Sequence, residues 1–174
     1  LSNNPYMLNI ACDKNKLKNI NIENNTLLIN LSCGKNLLSE IFLSNKPRLE
    51  GLLCSDNSLE NLDLYNKPRL QTLLCHGNKL QKIDLSNKSK IKQLSCSYNM
   101  LASLDICDLP MLEHLSCNSN QISSLNLSGN KRLISLYCQD NKITQLDLSN
   151  LDMLEEFACS NNRLTHLDMS ANSR

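Results

Sequence analysis

Eight cysteines, Cys12, Cys33, Cys54, Cys75, Cys96, Cys117, Cys138 and Cys159, stand 21 residues apart without a slip. The third residue after each is asparagine: Asn15, Asn36, Asn57, Asn78, Asn99, Asn120, Asn141 and Asn162. The four prolines, Pro5, Pro47, Pro68 and Pro110, all fall seven residues before one of these cysteines. A fixed period of this length means one small unit stacked on copies of itself, because no single unit can bury its apolar face alone. A globular core that fills irregular space with mixed side chains does not arise from such a chain.

With each cysteine as position zero, positions −5, −2, +5, +8 and +10 are apolar in all eight units. The fourth unit shows the pattern cleanly: Leu70, Leu73, Cys75, Asn78, Leu80, Ile83 and Leu85. The consensus reads L-x-x-L-x-C-x-x-N-x-L-x-x-L-D-L-S-N-K-P-R. Its halves, L-x-x-L-x-C and L-x-x-L-D-L, share their spacing at offsets of 10 and 11. This explains a composition of 36 Leu and 26 Asn in 174 residues, with no Val or Trp. In L-x-C and L-D-L the outer residues point inward and the middle one outward, as in a strand. Successive turns would pair these segments in parallel about 4.8 Å apart, giving a rod roughly 40 Å long. The expectation is one well-formed parallel sheet from the L-x-C segments. A second, shorter sheet or extended stack is expected at L-D-L, and no stretch is long enough for a substantial helix.

These residues resemble a leucine-rich-repeat protein, closest to the short bacterial 21-residue class with nested 10- and 11-residue half-repeats. The resemblance covers essentially the whole chain. It implies a leucine-rich-repeat solenoid, mostly β, with one or two parallel sheets and little or no helix. It also implies non-enzymatic binding of another macromolecule, a protein ligand, in a bacterial surface or secreted setting such as host or cell contact.

The cysteine column invites a metal or disulfide reading. Zinc sites need converging ligands, commonly with two cysteines a few residues apart, and no C-x-x-C is present. Parallel neighbours about 4.8 Å apart also miss the Cβ separation a disulfide needs. The column is read as small buried hydrophobes where Leu would crowd the turn. Cys107 stands outside it, where other units place Ser44, Ser86, Ser128, Ser149 and Ser170, and is a candidate for thiol labelling. Inward Asn amides are expected to bond the backbone of the tight turn, and one another. At the middle of L-D-L runs Asp63, Asp84, Asp105, Asn126, Asp147 and Asp168. Calcium ladders need glycine-rich turns, which four glycines cannot supply, so these carboxylates are expected to bond nearby turn N–H groups. Lys46, Arg48, Lys67, Arg69, Lys88, Lys90 and Arg132 would balance their charge. No metal or cofactor is implied.

A net charge of +1 gives no electrostatic case for a nucleic-acid binder, and no apolar run of about 18 residues offers membrane insertion. None of the motifs H-E-x-x-H, G-x-S-x-G or a phosphate-binding glycine loop occurs, and no histidine pairs in sequence with a second chemically active residue. The expectation is therefore a non-enzyme with no catalytic residues. Function should lie where outward positions vary. Leu53 and Leu74 share position −1 in adjacent turns, with His76 at +1 and Tyr98 at +2 one turn on; His114 and Tyr137 follow. Exposed aromatics beside leucines are typical interface anchors, so these six residues form the candidate binding face. The alternative roles are a structural spacer or the targeting domain of a larger enzyme or toxin. Leu1 and Ser2 match positions +10 and +11 of a preceding unit, and the last residues are still in phase. Residues 1–174 are thus expected to be one domain within a longer chain without its caps, whose open ends allow end-to-end self-association.

Overall fold

A computed structural model of the chain describes residues 4–172; the expectation for Leu1 and Ser2 lies outside them. Eight three-residue strands follow one another: β1 (Asn9–Ala11), β2 (Asn30–Ser32), β3 (Gly51–Leu53), β4 (Thr72–Leu74), β5 (Gln93–Ser95), β6 (His114–Ser116), β7 (Ser135–Tyr137) and β8 (Glu156–Ala158). They form a single parallel sheet in chain order. Every pair is registered at the 21-residue step, as in Leu52 opposite Leu73 and Leu94 opposite Leu115. The fold is a leucine-rich-repeat solenoid, with no helix among the described residues.

Each strand occupies positions −3 to −1, so its central residue points inward and the two flanking residues face out. The cysteine follows directly, and its N–H still donates to the next turn, as Cys54 does to the carbonyl of Leu74 at 2.8 Å. Inter-turn bonds run from position −4, where Glu50 bonds Ile29, to position +4, where Ser58 bonds Leu38. The ladder is therefore three times as long as the strand labels suggest. Leu31, Leu52, Leu73, Leu115 and Leu136 are fully buried on it, as are Cys33, Cys54, Cys75, Cys96, Cys117 and Cys138. Fully burying one such leucine is worth about 1.5–3 kcal/mol, and stacking repeats that gain at each turn.

The L-D-L half differs. It forms no strand, and its own amides, such as those of Leu62, Asp63 and Leu64, make no inter-turn bond among the described residues. Of the two forms expected there, the structure has the extended stack. Leu43, Leu64, Leu85, Ile106, Leu127 and Leu148 are buried in it, so apolar packing joins the turns on that side. Side-chain bonds to the preceding turn add to it, from Asn25 to the carbonyl of Asn4, from Lys46 to that of Glu23, from Asn130 to those of Ile106 and Leu109, and from Asn172 to those of Leu148 and Leu151. After L-D-L the chain turns tightly, and in turns two to four it does so through left-handed Asn45, Asn66 and Asn87. Lys46, Lys67 and Lys88 lie in that turn with buried stems, and bond the carbonyls of Ser44, Tyr65 and Ser86. They make no ion pair with the Asp column among the described residues; Asp63 and Asp84 act on Lys67 and Lys88 from farther away.

A bend common to all eight turns lies at position +2, where the backbone enters the left-handed region: Lys14, Lys35, Asp56, Tyr98, Ser119, Asp140 and Asn161 have φ of 52–57°, and Gly77 has 65°. A non-glycine residue there is strained by roughly 1–2 kcal/mol. The asparagine at +3 holds the bend. Asn78 donates Nδ2 to the carbonyls of Cys54, Cys75 and His76, and its Oδ1 accepts the amide of Leu59 in the preceding turn. The same four-way pattern recurs at Asn36, Asn57, Asn99, Asn120, Asn141 and Asn162, each of which has a preceding turn to bond. Asn78, Asn36 and Asn141 are buried. The expected amide-to-amide bonds do not form, because every polar atom of these side chains is already used by backbone.

Replacing Asn78 by Ala orphans several buried backbone groups at once. It should destabilise the chain by about 2–4 kcal/mol in urea unfolding, against under about 0.5 kcal/mol for Asn61→Ala at an exposed position. Equal losses for the two variants would remove the asparagine from its structural role.

Candidate functional site

The outward columns of the sheet are hydrophilic in most turns: position −1 carries Ser32, Ser95 and Ser116, and position −3 carries Asn9, Asn30, Gln93 and Glu156. Leu53 and Leu74 interrupt this. They sit opposite each other in β3 and β4 and are half-buried. Together with Ser55 and His76 they floor a depression of about 250 Å³, rimmed by Asp13, Lys14, Gly34, Lys35 and Asp56. The rim residues come from the bends of turns one to three, so the site is built by stacking and cannot form within one unit.

His76 is the most constrained polar group there. Its Nδ1 lies 2.9 Å from Ser55 Oγ and 3.3 Å from Ser95 Oγ, bridging three turns. Asp56 Oδ2 lies 3.9 Å from Nε2. Spacing in sequence hides these partners, because they are 19–21 residues away from His76. The grouping differs from a nucleophile–base–carboxylate chain. In such a chain a carboxylate bonds one ring nitrogen and fixes the tautomer, and 3.9 Å is too long for that bond. Gly77 makes the grouping possible: a Cβ at its left-handed position would collide with the Asp56 carboxylate. Beside it, Asp13 Oδ1 accepts from the amide of Gly34 and the hydroxyl of Ser32, each at 2.8 Å. That leaves Lys14 and Lys35 as the free-facing cations of the rim.

The other three candidates lie elsewhere on the same face. Tyr98 is 63% exposed at the left-handed bend of turn five, beyond the depression. His114 is exposed in β6, its Nδ1 2.9 Å from Ser135 Oγ. Tyr137 in β7 donates its hydroxyl to Glu156, and that bond to a carboxylate holds the phenol pKa above its ordinary value. The structure thus groups Leu53, Leu74 and His76, and spaces Tyr98, His114 and Tyr137 along the sheet.

The Asp column caps turns. Asp63, Asp84, Asp105, Asn126, Asp147 and Asp168 each accept the amide two residues on, at 2.8–3.1 Å. Hydrogen bonds from Ser86, Ser149 and Ser170 hold Asp84, Asp147 and Asp168 below the usual carboxylate range. Asn21 does the same in turn one, bonding the amide of Glu23 at 3.1 Å. Turn two has Phe42 at this position, 64% exposed, which sequence reading passed over; its signal was the missing acid in an otherwise regular column.

All nine cysteines are free thiols, and Cys107 is exposed. Burial pushes Cys33, Cys96 and Cys138 up to about 12 from an ordinary 9.0. Because these values are raised, their contribution to stability is complete below pH 9.0 and is lost as pH climbs towards about 12. At about pH 8 a maleimide should label Cys107 first, slowed by the raised thiol pKa that desolvation and the Asp105 and Asp108 carboxylates impose, and Cys107→Ser should remove that reaction. Cys12 and Cys159, half-buried at the two ends of the column, should follow more slowly. Raising the pH past 9.0 should lower stability before it exposes the six fully buried thiols to native-state labelling. Rapid native labelling of Cys33, Cys54, Cys75, Cys96, Cys117 or Cys138 would contradict their burial.

No family model matches the sequence, and no curated protein matches it. Among solved structures the chain is similar to the functional domain of InlJ from Listeria monocytogenes, which includes a cysteine ladder: 34% identity, TM-score 0.92, covering 94% of this chain and 36% of that one. It is also similar to a leucine-rich-repeat protein of Leptospira interrogans (26% identity, TM-score 0.81, 90% of this chain and 44% of that one). The internalin InlF of Listeria monocytogenes shares the fold at 24% identity, with TM-score 0.86 over 99% of this chain and 54% of that one. The chain spans between 36% and 54% of the length of these structures. With its 21-residue period, its single parallel sheet in register and these bacterial neighbours, the chain is a leucine-rich-repeat protein.

Proposed function

We propose that this chain is a non-enzymatic protein-binding module that engages its partner across the outer face of the sheet. The observation that carries this is the Leu53–Leu74 pair. Two adjacent leucines floor a depression in a face otherwise lined by Ser, Asn, Gln and Glu, which costs solvation unless something covers it. Lys14, Lys35, Asp56 and His76 around an apolar floor match an interface with a dry centre and a polar rim. Tyr98, His114 and Tyr137 extend the face as rigid aromatic contacts with polar tips. A bacterial surface or secreted setting, with host or cell contact as its purpose, is supported by the internalin neighbours and by a Shigella effector domain of the same fold. The domain is read as one segment of a longer chain. A spacer would have no use for an apolar depression on a solvated face, which favours the binding reading.

Selection of a displayed peptide library on the wild-type chain tests this. Recovered binders should compete with one another and lose about tenfold or more in affinity on Leu74→Asp, a loss of about 1.4 kcal/mol, with melting of the variant checked separately. Binders that ignore Leu53→Asp and Leu74→Asp alike would place the interaction elsewhere and favour the spacer.

A further inference from the structure

Phe42 marks a place where the repeat gives up a structural bond. In turn one and in turns three to eight the side chain at this position is Asn or Asp, and it accepts the amide two residues on. Phe42 has no acceptor to offer Ser44, and it places an aromatic ring in solvent. Departures from a local rule without a folding benefit concentrate at functional sites. The surface changes there too. Between turns four and five the groove beside Asp84 and Asp105 measures about 120 Å³. Between turns one and two it widens to about 460 Å³, with Ile20 and Phe42 as its apolar wall and Glu23 and Glu40 at its edge. The ion pairs among the described residues are His76–Asp56 and Lys92–Glu113, so neither Glu23 nor Glu40 has a cation within 4.0 Å. The Lys46 ammonium is bonded to the carbonyls of Glu23 and Ser44 and acts on the Glu23 carboxylate from beyond ion-pair distance, which leaves Glu40 as the carboxylate open to a partner's cation.

We infer that this groove is a second docking site, on the L-D-L side of the solenoid, for a basic segment of a partner protein. The occupant carries an apolar side chain that fills the groove against Ile20, and an arginine or lysine stacked on the Phe42 ring and paired with Glu40. An aromatic face beside unpaired carboxylates attracts a cation by ring quadrupole and by charge together, and an acidic or neutral segment gains neither. The site lies on a different surface from the Leu53–Leu74 depression and does not depend on it.

The test uses short fluorescein-labelled peptides in three versions, with Arg and Leu, with Gln replacing Arg, and with Glu replacing Arg. The Arg version should bind saturably and weaken about tenfold on Phe42→Asn, which removes the ring without adding charge, and on Glu40→Lys, while Leu74→Asp leaves it unchanged. Phe42→Asn restores the missing cap as Asn21 and Asn126 make it, so it should raise the melting midpoint by about 2–4 °C as it weakens binding. Equal binding of the three versions, no binding by any of them, or binding indifferent to Phe42→Asn would overturn the proposal. So would a lowered melting midpoint, which would make Phe42 a structural residue. A concentration-dependent dimer abolished by Phe42→Asn would identify the occupant as a second copy of this chain, and would equally overturn it.

Discussion

Each turn of this solenoid bends through a left-handed residue that is glycine in one turn alone, and the asparagine that follows makes the bend tolerable. One amide side chain satisfies three carbonyls and one N–H, and two of those groups belong to the preceding turn. Bend closure and turn stacking are therefore a single interaction. The 21-residue period follows from it: a residue inserted anywhere in the unit would carry the next asparagine away from the carbonyls below it. Cysteine fits the same logic. Beside a bend whose carbonyls point at the asparagine, a small apolar side chain fills the interior without pressing on the turn above.

The two sides of each turn are joined by different forces. From position −4 to +4 the backbone is laddered, and side chains only modulate it. Across L-D-L no backbone ladder forms, and buried Leu and Ile hold the turns, with side-chain bonds from Lys46, Asn130 and Asn172 to carbonyls of the preceding turn. Variation is tolerated on both outer surfaces for different reasons: on the sheet because the ladder is indifferent to outward residues, and at L-D-L because no ladder exists to disturb. The internalin and effector neighbours share the fold, and a common fold at modest identity is what such a division allows.

Much of the fold was legible in the sequence because it is written eight times. Period, inward columns, parallel stacking and the absence of a substantial helix all follow from where Leu, Cys and Asn recur. The second half-repeat was harder, since L-D-L has the same alternation as L-x-C; alternation reports burial, and burial is compatible with a stack that makes no backbone bonds. The left-handed bend was invisible because Lys, Asp, Tyr and Ser occupy it where glycine would have signalled it. Leu53, Leu74 and His76 could be grouped by adding 21 to a residue number. Asp56, Ser55 and Ser95 around His76 could not be picked out among many common polar residues. Phe42 escaped notice because it is informative as a missing acid, and an absence stands out only once the role of the column is known.

Residue-resolved amide hydrogen exchange on the native chain tests the central claim, that each turn is locked by a backbone ladder and asparagine on one side and mainly by apolar packing, without a backbone ladder, on the other. The account predicts the slowest exchange at the cysteine amides and at those of Leu38, Leu59, Leu80 and Ile122, which donate to the asparagine column. Amides of the L-D-L segments, such as Leu62 to Leu64 and Ile83 to Leu85, should exchange markedly faster through local opening. Protection that is uniform around the turn, or strongest at L-D-L, would contradict it.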